Sequence, residues 1–137
     1  SHYPAVKGDS LVSRMQREII QAMSALKKTQ DDGLSANFSF PREFIGFQGH
    51  FDNNPVLPGI CKIQSVLAMF EEFHNRPFRL KEIRMAKYLS PVTCGQAIRI
   101  ECSPTAGAEG VVTLKAAVNR GDVKVALLHL IIETAPK

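Results

Sequence analysis

Several things are scarce in this 137-residue sequence. It has no Trp, two Tyr and three Cys, and no apolar run approaches the roughly 20 residues that span a bilayer. The longest such stretch, Val125–Ile132, is interrupted by His129, so no membrane-spanning helix is expected. The cysteines, Cys61, Cys94 and Cys102, are odd in number, lack CxxC spacing and lie in apolar segments, which points to a reducing, cytoplasmic setting without disulfides. No basic leader precedes an apolar stretch, so secretion is not indicated, and Ser1-His2 reads as a cloning scar on a flexible segment 1–9. His2, His50, His74 and His129 are scattered, with no HxxxH or paired cysteines, so no metal is expected. Neither a Gly-rich phosphate loop nor a Ser-centred nucleophile elbow is present. Without Trp or interleaved basic and aromatic residues, nucleic acid is not expected as a partner.

What is present is the composition of one globular domain over 1–137, 45% hydrophobic and 22% charged, with no repeat or linker dividing it. The net charge of +4 is unevenly placed. Residues 1–58 carry six Lys/Arg and six Asp/Glu, whereas Arg76, Arg79, Lys81, Arg84 and Lys87, against Glu82, give +4 within twelve residues. One local strip therefore accounts for the whole excess. Charge runs of this kind are often only solvated faces, but this one also suits an acidic partner.

Ser10–Lys28 has apolar residues at helical spacing (Leu11, Met15, Ile19, Met23, Leu26), although the part after Arg17 also suits a strand running to the Asp31-Asp32-Gly33 turn. Leu34, Ala36, Phe38 and Phe40 alternate with polar residues, which predicts a half-buried strand ending at Pro41. A Gly-, Pro- and Asn-rich loop leads to Pro58. Gly59–His74 then reads as a helix apolar nearly all round and so buried, stopped by Asn75 and Pro77. Strands are expected over Arg79–Tyr88, Gln96–Cys102, 112–119 and Val123–Glu133, the last two joined by a tight turn at Asn119–Asp122. His129, mid-strand among apolar residues, is expected to be a packed core histidine. The sum is an α+β fold in which an antiparallel sheet wraps one central helix.

The chemically suggestive segment is Gly46–Ile60, which feeds directly into that helix. Pro58 before Gly59 suits a helix start, where the ring costs no hydrogen bond and glycine lets another group approach. Amides at such a start, with the helix dipole behind them, can hold a polarised carbonyl oxygen. A loop simply entering a helix would look the same. His50, with a typical pKa near 6.5, is suited to taking a proton at physiological pH, although an isolated loop histidine is often a packing residue. Gln64 is an amide in an apolar helix, where lack of a partner would cost about 1–3 kcal/mol, so either a core hydrogen bond or a site role is expected.

His50-Phe51, Pro55-Val56-Leu57-Pro58-Gly59 and a polar residue fourteen positions after the histidine together resemble the 3-hydroxyacyl-[acyl-carrier-protein] dehydratases of the hotdog fold. Lys87–Val92 is similar, more weakly, to that family's strand ending in an R-P-V element. The resemblance implies a hotdog fold with part of 17–28 as its first strand. It implies dehydration without a cofactor: His50 removes the proton beside the thioester carbonyl, and the amide of Gly59 holds that carbonyl as charge develops. Phe51, Val56, Leu57, Pro58 and Ile60 would line the substrate site. It further implies a homodimer with shared active sites, open to further assembly. The partner would be acyl carrier protein, whose acidic surface would meet Arg76, Arg79, Lys81, Arg84 and Lys87.

The sequence departs from the family at Gln64, where the resemblance places a carboxylic acid supplied by the partner subunit's helix. An amide has no proton to give at pH 7. Glu71 lies two turns further along, about 10 Å away by helical rise. Glu72 points elsewhere, and Asp52 has no such role in the family. Three readings stay open: a dehydratase in which Gln64 positions water, a hotdog thioesterase, and a non-catalytic module that binds acyl chains or carrier protein.

Overall fold

A computed structural model describes residues 10–48 and 54–136. His50 and Phe51, and with them the proposed base, lie outside the described residues. Helix α1 spans Leu11–Ala22, capped by Ser10, whose hydroxyl accepts from the Ser13 amide at 3.0 Å. Strand β1, Met23–Lys28, follows without a loop. The helical spacing over Ser10–Lys28 thus holds only to Ala22. Beyond it, pairing of Met23 with Phe38 overrides local periodicity and extends the backbone, as the family resemblance implied for this stretch.

Strand β2 is Leu34–Ser39, helix α2 is Gly59–His74, and β3 to β6 are Phe78–Tyr88, Ala97–Ala106, Val111–Arg120 and Val123–Thr134. They form a six-stranded antiparallel sheet in the order β1-β2-β4-β5-β6-β3, which leaves β1 and β3 at its edges. This is a hotdog fold, with the sheet curled about α2. Cys61, Ile63, Val66, Met69 and Phe70 of α2 join Ile98, Ile100, Leu114, Val118, Leu128 and Leu130 of the sheet in one buried cluster. Asn75 ends α2 in the left-handed conformation (φ 53°), its amide returning to the Glu71 carbonyl.

Two expectations need correction. Helix α2 is not buried all round: Ile60 and Phe73 are exposed, and Gln64, Leu67 and Glu71 are only partly covered, because α1 and the sheet leave one side of the helix open. His129 is half-buried rather than packed in the core. The strand alternates, burying Ala126, Leu128, Leu130 and Ile132 on one face, which turns His129 to the other, across from Lys115 and Met85.

Candidate active site

The chain reaches α2 along an anchored path. Glu18 of α1 accepts from the Ile45 amide at 2.7 Å and is itself held by Arg14 at 2.6 Å, which fixes the 3₁₀ turn Ile45–Phe47. Downstream of the undescribed residues, the Leu57 amide donates to the Val92 carbonyl at 2.7 Å, and Val56 bridges Thr93. Leu57 is buried, whereas Val56 and Ile60 are exposed. Pro58 stands at the N-cap with extended backbone (ψ 149°) and offers no side-chain acceptor. The amides of Gly59 and Ile60 therefore have no acceptor among the described residues. The Tyr88 ring packs closely on Gly59: a Cβ there would lie 2.5 Å from its Cζ, so any larger residue would have to displace the ring.

Gln64 lines a cavity of about 280 Å³ between α1, α2 and β3, together with Gln16, Leu67, Glu71 and Arg79. Its Oε1 is buried and has no hydrogen-bond partner among the described residues. An acceptor left this way costs free energy unless a bound donor meets it. The core hydrogen bond expected for a bland Gln64 is therefore missing at that atom. Glu71 lies in the same cavity, its Oε2 accepting from the Phe78 amide at 3.0 Å. Burial pushes the Glu71 carboxyl above its ordinary pKa, the Phe78 bond pulls it partly back, and neighbouring Glu72 raises it further.

On the flank of α2 near Gly59 lies a group that the sequence reading passed over. Lys62 is 4% exposed, donates from Nζ to the Leu57 carbonyl at 3.0 Å and stands 5.4 Å over the Tyr88 ring. Desolvation lowers its pKa. The available signal was a lysine three residues after Pro-Gly in an otherwise apolar helix.

The basic strip falls at the end of α2 and along the edge strand β3. Arg76, Arg79, Lys81, Arg84 and Lys87 are all exposed. Arg79 is paired with Glu133 at 2.7 Å and Arg84 with Glu82 at 3.3 Å. Among the described residues no group of His, Cys, Asp and Glu could hold a metal ion, and no helix is long and apolar enough to cross a membrane. The cysteines are free thiols; burial pushes Cys61 up to about 11 and Cys102 to about 12.

The family profile described as "ApeI-like: ApeI dehydratase" matches residues 26–126, well over half of the sequence. The chain belongs to the ApeI-like dehydratase family. It is similar to the 3-hydroxyacyl-[acyl-carrier-protein] dehydratase FabZ of Granulibacter bethesdensis, 35% identical over 65 residues, covering 41% of this chain and 38% of that protein. It is also similar to FabZ of Caulobacter vibrioides, 25% identical over 103 residues, covering 66% of this chain and 65% of the relative. The chain thus spans less than two thirds of the length of these curated relatives. Among solved structures, the dehydratase heterocomplex ApeI:P from Xenorhabdus doucetiae superposes with a TM-score of 0.64 at 15% identity, covering 81% of this chain and 96% of that one. That likeness supports the hotdog fold of this ApeI-like chain.

Proposed function

We propose that this protein eliminates water from a 3-hydroxyacyl thioester carried by acyl carrier protein, without a cofactor, in fatty-acid or related lipid synthesis in the cytoplasm. The observation that carries this reading is the start of α2, where the Gly59 and Ile60 amides have no acceptor among the described residues and would meet a thioester oxygen. His50 removes the C2 proton, and the oxygen at Gly59 takes the charge as the enolate forms. Collapse of the enolate restores the carbonyl, makes the C2–C3 double bond and expels the 3-hydroxyl, which leaves as water after taking the proton held by His50. Gln64 has no proton of its own to supply. Its unmet Oε1 accepts from the substrate hydroxyl or from a water that relays the proton. Phe51, Val56, Leu57, Pro58 and Ile60 border the acyl chain.

The active unit in this reading is a dimer with shared sites. Edge strand β3 is 11 residues long and carries exposed Ile83 and Tyr88. Two copies paired antiparallel about Ile83 would set Glu82 of each opposite Arg84 of the other. Arg76, Arg79, Lys81, Arg84 and Lys87 that remain exposed would receive the acidic carrier protein.

The test is to incubate the protein with a 3-hydroxyacyl carrier-protein substrate and follow the enoyl product. Turnover that falls by on the order of 10²–10⁴ in His50→Ala supports the assignment. A second reading, a non-catalytic acyl or carrier-protein binding module, is favoured by the amide at position 64. It replaces the first if the wild type binds carrier protein and converts nothing.

A further inference from the structure

Lys62 has no place in the reaction above, yet its setting is an expensive one. A lysine that is 4% exposed ordinarily has a carboxylate beside it. Among the described residues its partners are one carbonyl oxygen, that of Leu57, and one aromatic face, that of Tyr88. The titratable groups facing it are the Cys61 thiol, pushed up to about 11, and the Tyr88 phenol, also raised by burial; both are neutral at pH 7 and supply no counter-charge. An ammonium has three donors, and one is spoken for.

The direction of the side chain gives this charge a purpose. Helical side chains lean toward the N-terminus, and Lys62 lies three residues after Gly59, on the same side of α2. Its Nζ reaches back past the first turn to a carbonyl two residues before Gly59. Gly59, Lys62 and Tyr88 line one open pocket of about 430 Å³ together with Leu57 and Pro58. The pocket therefore brings Gly59, at the positive end of a 16-residue helix, beside a buried ammonium that has no anion among the described residues. Each of these favours a negatively charged oxygen.

We propose that Lys62 is a catalytic residue whose ammonium stabilises the enolate oxygen of the thioester held at Gly59. The inference rests on the dehydration reading and deepens it by adding a charge-bearing group to the carbonyl side of the site. No proton leaves Lys62. The C2 proton passes to His50 as before, while the ammonium lowers the energy of the enolate by meeting its charge. A chain that lacks an acid at position 64 gains most from a longer-lived enolate, since expulsion of the hydroxyl is then the harder half of the reaction.

The test uses acetoacetyl-pantetheine, a 3-ketoacyl thioester that cannot be dehydrated and whose enolate absorbs in the near ultraviolet. The wild type is expected to bind it largely as enolate. Lys62→Met should bind it with an on-the-order-of 10²-fold smaller enolate-to-keto ratio, Lys62→Arg should recover most of that ratio, and kcat for the 3-hydroxyacyl substrate should follow while KM changes little. Met keeps the length of the stem and removes only the charge, and thermal unfolding confirms that both variants fold. Equal enolate fractions in wild type and Lys62→Met would overturn the proposal and leave Lys62 as a brace for the Leu57 carbonyl. That result stands apart from failure of the dehydration reading, in which the wild type neither enolises the probe nor converts the substrate, and which removes this role of Lys62 with it.

Discussion

Helix α2 has two sides with opposite chemistry. The side toward the sheet, with Val66, Met69 and Phe70, is apolar and closed, each residue no more than 3% exposed. The other, with Ile60, Gln64, Leu67 and Glu71, is partly open and carries an amide oxygen without a donor and a carboxyl above its usual pKa. The closed side is what makes the fold. The open side violates two rules of core construction on one stripe, an unmet polar atom and a half-buried acid, and such violations concentrate where a ligand or a second chain completes the structure.

The sharpest separation should come from truncating the closed side. Met69→Ala is expected to lower stability by about 2–5 kcal/mol through a cavity in the sheet-helix core, whereas Leu67→Ala on the open side should cost far less; equal losses in chemical denaturation would erase the distinction. Next in size is Gln64→Glu, which restores a proton donor to the open side. Turnover should rise by on the order of 10²-fold in the enoyl-product assay, and no gain would mean that the hydroxyl departs without help from this position.

A smaller effect tests the electrostatics of the same side. Because burial raises the Glu71 carboxyl, the folded state prefers it protonated. Its stabilising share is complete below the ordinary glutamate range and is lost as pH rises through the raised value. Glu71→Gln keeps an acceptor for the Phe78 amide and should be more heat-stable than the wild type at pH 7, with the gap closing toward pH 4 in melting curves. The smallest change is expected for Arg79→Glu at the rim of the open cavity: carrier-protein affinity should drop several-fold at 20 mM salt and hardly at all at 500 mM, as screening of exposed charges requires.

The sequence reading reached the strands and α2 because their signals are local. Gly59–His74 carries its own start, at Pro58-Gly59, and stop, at Asn75 and Pro77, and the helix occupies that span. The boundary at Met23 was not legible, since the same apolar spacing serves a helix or a twisted strand and only the partner strand β2 decides. For the site, position 64 stood out because a polar residue interrupts an apolar run. Lys62 escaped notice for the opposite reason: a lysine on a helix is normally a surface residue, and only the closure of Tyr88 and the 54–58 loop over it turns an ordinary letter into a buried charge. Likewise, which side of α2 stays open depends on where α1 lies across it, a long-range outcome that composition does not encode.

The two margins of the sheet also differ, and the difference bears on how far copies can join. Strand β1 has a break in register between Ser24 and Lys27, a left-handed Ala25 (φ 54°) within it, and two lysines at its end. Those features spoil a straight run of hydrogen bonds to any newcomer. Strand β3 also breaks register, between Leu80 and Glu82 and between Ile83 and Met85, but it is longer, has one side free and has no left-handed residue within it. If the proposed dimer joins the two β3 strands, that pairing uses up the longer margin, and any further growth along the hydrogen-bonding direction has to pass through a strand broken at Ala25.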